Sequence, residues 1–217
     1  MASFLHTAFT EQFLESKEIR QLKYPSLSKV LSETGDKSFL EAWRARVGEE
    51  EANRISREAS ARGNRVQDLI DDYLLNVTGP YKEGEYLAKD YMAFNQVLPF
   101  LKGIDETYAI ELPLVSHKLK INGRLDWFGK IDGKPCVIDW KTTKKQKPRE
   151  WIQDYYLQVM FYVLSIYEQT GIMCKKNYVV LTNELFYQKF EVVMDTNLVQ
   201  ELSQRRKKFK LLMEGRK

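Results

Sequence analysis

Gly123-Arg124-Leu125-Asp126, a gap of twelve residues, and then Asp139-Trp140-Lys141-Thr142 is the stretch on which the reading of this chain turns. Asp132-Gly133 lies in the gap and is a strong hairpin signal, since Asp and Gly both tolerate the positive φ of a two-residue turn. Residues on either side alternate with period two, so Leu119–Ile131 and Lys134–Thr142 are expected as paired strands. The same period sends Asp139 and Lys141 to one face, and Ile138 and Trp140 to the other. The hairpin returns Asp126 to the same strand end. Two carboxylates and an ammonium there suit metal-assisted phosphodiester cleavage. The carboxylates hold a hard divalent cation, and the cation polarises the phosphate and lowers the pKa of a bound water. The ammonium holds the attacking water or offsets charge on a pentavalent intermediate. An acid-x-Lys triplet by itself more often describes a surface salt bridge. Glu15–Lys17 and Asp132–Lys134 are two more in this chain, but only Asp139–Lys141 follows an apolar strand, Cys136-Val137-Ile138.

Working outward, the period is helical before Tyr108 and mixed after it. Ser26 is a natural N-cap for a helix through Leu27, Val30 and Leu31. A second helix through Phe39, Leu40, Trp43 and Val47 follows Gly35-Asp36. A long pattern runs from Glu49 to Leu75, with Gly63 inside it as either a break or a close approach, and a further helix covers Tyr86 to Leu101. Tyr108–Val115 is the first strand before the hairpin. Glu150–Gln169 is an aromatic-rich helix stopped by Gly171. Tyr178–Leu181 and Phe186–Val193 are strands, and Thr196 or Asn197 caps a final helix to about Met213. The expected architecture is one compact α/β domain, residues 1–103 forming a helical region packed on a core of residues 104–217.

Gln158 and Tyr162 stand four apart on the aromatic-rich helix and share a face. Gln158 sits among Leu157, Val159 and Met160, where a buried amide needs partners. With these residues the chain resembles the PD-(D/E)XK nuclease superfamily, in its RecB-like branch: a Gly-x-x-Asp strand, an Asp-x-Lys-Thr strand, then a helix bearing Gln-x-x-x-Tyr. The resemblance implies a mixed central sheet flanked by helices. A narrower resemblance, to the mitochondrial genome maintenance exonuclease family with its phage and bacterial members, extends through Tyr24 to Leu31, Trp43, Arg62-Gly63, Glu111 and Lys147-Pro148. Residue by residue it implies Asp126, Asp139 and the Trp140 carbonyl as ligands of Mg2+ or Mn2+, and Lys141 as the catalytic lysine. Gln158 and Tyr162 become supporting residues, and Glu111 either an auxiliary acid or a structural one. Gln67 occupies the position where such relatives typically carry a metal-binding histidine. Its oxygen is a weaker ligand than imidazole for softer cations, and the sequence leaves open whether it is native to the position or a replacement.

The resemblance also implies single-stranded DNA with a free end as the substrate. The residues permit this independently. Basic and aromatic residues interleave at Trp43-Arg44 and across Lys144, Lys145, Lys147, Arg149 and Trp151, offering stacking platforms beside phosphate contacts. Ser26, Ser28 and Lys29 could meet a phosphate at a helix start, although capping alone explains Ser26. The net charge of +4 divides into +5 from Glu201 to Lys217 and −1 over the rest. That basic tail suits either a polyanion or a solvated helix end. Cys136 and Cys174 are too few for a four-cysteine iron–sulfur cluster, and two histidines cannot build a His-rich metal site. No run of about 18 apolar residues is present, and the amino terminus lacks a targeting pattern. A cytoplasmic monomer in a bacterial or phage-infected cell is expected. Two alternatives are a structure-specific endonuclease of the same fold and a catalytically weak DNA-binding protein.

Overall fold

Asp132 and Gly133 both adopt positive φ, 52° and 68°, and the turn pairs Trp127 through Ile131 with Ile138 through Lys134. The computed structural model describes residues 4–76 and 86–216. Their elements in chain order are β1 (Phe4–Leu5), α1 (Ser16–Gln21), α2 (Leu27–Thr34), α3 (Ser38–Val47), α4 (Glu49–Leu74), α5 (Ala88–Leu101), β2 (Ile104–Ser116), β3 (Ile121–Ile131), β4 (Lys134–Thr142), α6 (Gln153–Thr170), β5 (Lys176–Thr182), β6 (Tyr187–Val193) and α7 (Thr196–Glu214). The strands form one sheet in the order β1-β2-β3-β4-β5-β6. Neighbours are antiparallel except β4 and β5, which are parallel. A parallel pair needs a crossover, and α6 supplies it, ended by Gly171 in the left-handed region. This is the mixed sheet flanked by helices that the family resemblance implies.

Both faces of the sheet are covered. On one side α2, α6 and α7 pack over Leu114, Leu125, Val137, Val179 and Leu181. On the other, α4 and α5 pack over Ile110, Trp127, Ile138, Trp140 and Val180. The strict alternation of β4 therefore divides it as expected: Ile138 and Trp140 lie in the α4/α5 core, and Val137 in the α6 core. Among the described residues no helix is long and apolar enough to cross a membrane.

Several boundaries depart from expectation. Phe4–Leu5 adds an edge strand to β2 within a region read as helical, because two residues carry no period. The first core strand begins at Ile104 rather than Tyr108, since irregular register near Glu106 and Thr107 breaks the alternation. Asp195 caps α7, its side chain accepting the Asn197 N–H at 2.8 Å. Gly63 does not break α4; a Cβ there would lie 3.6 Å from Thr142 Oγ1, marking the approach of the helix to the end of β4.

The basic tail mostly holds α7 in place. Arg205 bonds Asp154, Arg206 donates to the Lys120 carbonyl, Lys208 to the Thr34 carbonyl at 3.1 Å, and Arg216 pairs with Glu33. Lys208 thereby supplies positive charge at the carboxyl end of α2. Lys217 lies outside the described residues.

Gly123 sets how closely α6 approaches β3. A Cβ there would sit 2.7 Å from Cε1 of Phe161, a ring with no exposure. Gly123→Ala is therefore expected to destabilise the fold by about 1–3 kcal/mol through overpacking. A denaturant titration checks it, and an unchanged midpoint would contradict it.

Candidate active site

The pairing of β3 with β4 ends at Trp127 and Ile138. One residue further on the strands part, and the Asp126 side chain enters the gap. Its Oδ2 accepts the Trp140 N–H at 2.8 Å, a charge-assisted bond that fixes the carboxylate to the backbone of the facing strand. The parting has a counterpart in β2. Ile110 belongs to the α4/α5 core and Leu112 to the α6 core, although alternation should place both on one face. Glu111 makes the switch with a φ of 52°, a left-handed conformation that costs about 1–2 kcal/mol for a residue with a Cβ. Leu125 and Trp127 change face in the same way across Asp126. Glu111 and Asp126 thus sit where the sheet opens, and strain at such a point is a mark of a functional site.

Lys141 Nζ donates to Asp139 Oδ1 at 2.6 Å, lies 3.8 Å from Asp126 Oδ2, and faces the Tyr155 ring at 5.6 Å. Asp139 is fully buried, and burial raises its carboxyl above the usual range, with Lys141 pulling the other way and Asp126 adding to the rise. Burial opposes the charged form of Lys141, but Asp139 and Asp126 outweigh it and hold the ammonium above its ordinary value. Burial and then Asp126 raise Glu111, while Arg124, at 2.9 Å, offsets them. The Tyr162 phenol is pushed well up by burial and the nearby acids, so it stays a neutral donor.

Most of these groups line one cleft of about 630 Å³, while Asp139 is buried behind it and reaches it only through its bond to Lys141. Asp126, Lys141, Glu111, Trp140, Gln158 and Tyr162 form its floor and wall from the sheet and α6. Gln67, Gly63 and Asn64 of α4 line it, as do Ser26 and Ser28 at the start of α2. Asn122 anchors that start, its Nδ2 donating to the Tyr24 carbonyl at 2.7 Å and its N–H to the Pro25 carbonyl at 3.0 Å. Ser26 also caps α2, accepting the Lys29 N–H at 3.3 Å.

Arg124 also lines the cleft, but the basic residues singled out for DNA contact lie outside its lining. Lys29, Lys144, Lys145 and Arg149 are exposed, and Lys147 is half-buried. Lys145 lies 5.3 Å from the Trp151 ring, and Trp151 is 64% exposed, so it is a surface aromatic and not core. Lys147 donates to the Tyr155 hydroxyl at 3.1 Å, and Arg149 stacks over Tyr156 at 5.0 Å. Arg44 bonds Glu49 and, at 2.6 Å, Asn53, which ties α3 to α4.

One acid went unread in the sequence. Asp71 is 1% exposed, accepts the Gln67 Nε2–H at 2.7 Å, and is pushed up to about 8, chiefly by burial. Its signal was the four-residue spacing from Gln67, which one helix face shares.

The donor set fits a hard cation. Asp139 Oδ2 and Gln158 Oε1 are buried oxygens without hydrogen-bond partners among the described residues, and such atoms call for an unseen partner. Asp126 and Asp139 contribute carboxylate oxygens, the chemistry that Mg2+ and Mn2+ prefer. Among the described residues no three His, Cys, Asp or Glu side chains are arranged to hold an ion, so backbone oxygen, phosphate and water would complete the shell. Both cysteines are buried, with thiols raised by burial, and are not ligands here.

Comparison with known proteins identifies the family. The PD-(D/E)XK nuclease superfamily profile matches residues 3–215. Over 157 residues the chain is 30% identical to mitochondrial genome maintenance exonuclease 1 of Homo sapiens, an alignment covering 68% of this chain and 45% of that protein. The Mus musculus protein of the same name is 29% identical, with 65% and 44% covered. The chain thus spans less than half the length of these relatives. A crystal structure of a candidate exonuclease from Eubacterium rectale superposes with a TM-score of 0.51 at 14% identity, covering 89% of this chain and 82% of that one, a likeness of fold.

Proposed function

This chain belongs to the PD-(D/E)XK nuclease superfamily, and from that premise we propose that it is a divalent-metal-dependent exonuclease that digests single-stranded DNA from a free end. The observation that carries the proposal is Asp126 and Lys141 together in one cleft, with Asp139 buried behind that lining, bonded to Lys141 at 2.6 Å and its Oδ2 left unpartnered among the described residues. Asp126, Asp139 and the Trp140 carbonyl would hold Mg2+ or Mn2+, with Gln67 as a weaker oxygen ligand and Glu111 as an auxiliary acid. The cation supplies Lewis acidity and a water of lowered pKa.

The protein's own groups do the rest. Asp139 fixes the Lys141 ammonium so that its remaining protons point at the phosphate or the attacking water. Preorganised charge of this kind stabilises the transition state without reorganisation at the moment of reaction. Tyr162, neutral at working pH, donates to a phosphate oxygen, and Gln158 steadies Lys141 or the scissile phosphate. Ser26 and Ser28, at the start of α2, face a neighbouring phosphate, and Lys29 follows them in the same turn. Lys144, Lys145, Lys147 and Arg149 track the backbone beyond the cleft, while Trp151 offers its exposed face to a base. Arg44, already bonded to Glu49, contributes to that track only by leaving its partner.

Relatives named as exonucleases support action from an end. An endonuclease of the same fold is the second reading. Digestion of labelled linear and circular single strands, with and without Mg2+ or Mn2+, separates the two. Metal-dependent loss of the linear strand with the circle intact is expected. Cleavage of the circle would establish the endonuclease, and binding without hydrolysis in either metal would leave a DNA-binding protein.

A further inference from the structure

Asp71 is placed where nothing in the stability of the fold favours an acid. It is 1% exposed, stands in the last turn of α4 where the helix dipole opposes negative charge, and is surrounded by the like charges of Glu111, Asp126 and Asp68. Its Oδ1 accepts the Gln67 Nε2–H at 2.7 Å, and its Oδ2 has no partner among the described residues. Gln67 lines the cleft together with Asp126 and Lys141. A free glutamine amide turns its nitrogen outward as readily as its oxygen, and an N–H aimed at a cation repels it.

We infer that Asp71 is a positioning residue: it holds the nitrogen of the Gln67 amide, which leaves the amide oxygen as the atom presented to the cation of the cleft. The inference rests on the nuclease reading above. It follows the rule that a ligand's second atom is bonded to an outer group that fixes its orientation. Such a partner need only accept a hydrogen bond. Asparagine at 71 keeps that acceptor, and leucine, with the same branching but greater bulk, removes it.

The test is Mn2+ titration of the DNA-free protein, followed by electron paramagnetic resonance of free Mn2+. Asp71→Leu is expected to weaken Mn2+ binding by about tenfold, the lower end of what outer partners contribute. Gln67→Ala should weaken it by a similar factor, and the double variant no further. Asp71→Asn should bind as the parent does. If Asp71→Leu fails to fold, Gln67→Ala decides alone, its position being only half-buried. Parent-like Mn2+ binding by Asp71→Leu or Gln67→Ala, or losses that multiply in the double variant, would overturn the inference while leaving the nuclease reading intact. A parent that neither binds Mn2+ nor hydrolyses DNA would overturn both.

Discussion

Lys141→Ala is expected to lower the rate of phosphodiester hydrolysis by about 10³-fold, the scale of a lost preorganised donor, while DNA affinity stays near that of the parent. Among the described residues the Lys141 ammonium is the cation bonded to Asp139, at 2.6 Å, and it lies 3.8 Å from Asp126. Its removal takes positive charge from the point where the phosphate becomes more negative. Affinity comes mainly from phosphate contacts spread along the strand, and one residue on the cleft floor contributes little to it. Asp139 loses its partner at the same time, and an unpaired buried carboxylate destabilises, so thermal melts must accompany the kinetics. Asp139→Asn is the companion variant. It keeps an acceptor for Lys141 and removes the charge that would hold the cation, and hydrolysis should again be lost. Single-turnover rates on a labelled strand, measured for folded variants, check both. Near-parental cleavage by either would remove the assignment.

Gln67→His is expected to raise turnover by about tenfold or more in Mn2+, with a smaller gain in Mg2+. Imidazole nitrogen is a better ligand than an amide oxygen for the softer cation, while Mg2+ prefers oxygen and water. The structure adds a reason that the ring would be well placed. Asp71 already accepts an N–H from residue 67 at 2.7 Å, and an imidazole N–H can take the same bond and leave its second nitrogen for the cleft. Steady-state rates in each metal decide, and a variant no faster than the parent in either one contradicts the expectation.

How much of this was legible beforehand depended on whether the signal was local. Asp132-Gly133 announced the hairpin because turn chemistry resides in two residues, and the hairpin then placed Asp126 near Asp139. The alternation of Cys136 to Lys141 put Asp139 and Lys141 on one face because side-chain period is a property of the strand itself. Gln158 and Tyr162 came together through the pitch of a single helix. The basic tail misled in part. Charge is visible in sequence but its partners are not, and Arg205, Arg206, Lys208 and Arg216 proved to be joined to residues 51 to 183 positions away in the chain. Arg44 proved to be tied to Glu49 and Asn53 across the α3–α4 junction.

By itself, then, the sequence determined the order of the main helices and strands after Tyr24, the two faces of β4 and the acid-acid-lysine set, since each follows from backbone period and turn preference over a few residues. Tertiary structure alone decided the rest. It paired β4 with β5 in parallel and laid Phe4–Leu5 along β2, contacts whose enthalpy is gained only after long loops have closed. It brought Ser26, Ser28, Gln67 and Glu111 to the cleft from three distant elements. It also buried Asp71 against Gln67 and left Asp139 Oδ2 unpartnered. Burial and partnership are properties of the packed molecule, because they depend on which surfaces exclude water from each other, and no local pattern of residues encodes that.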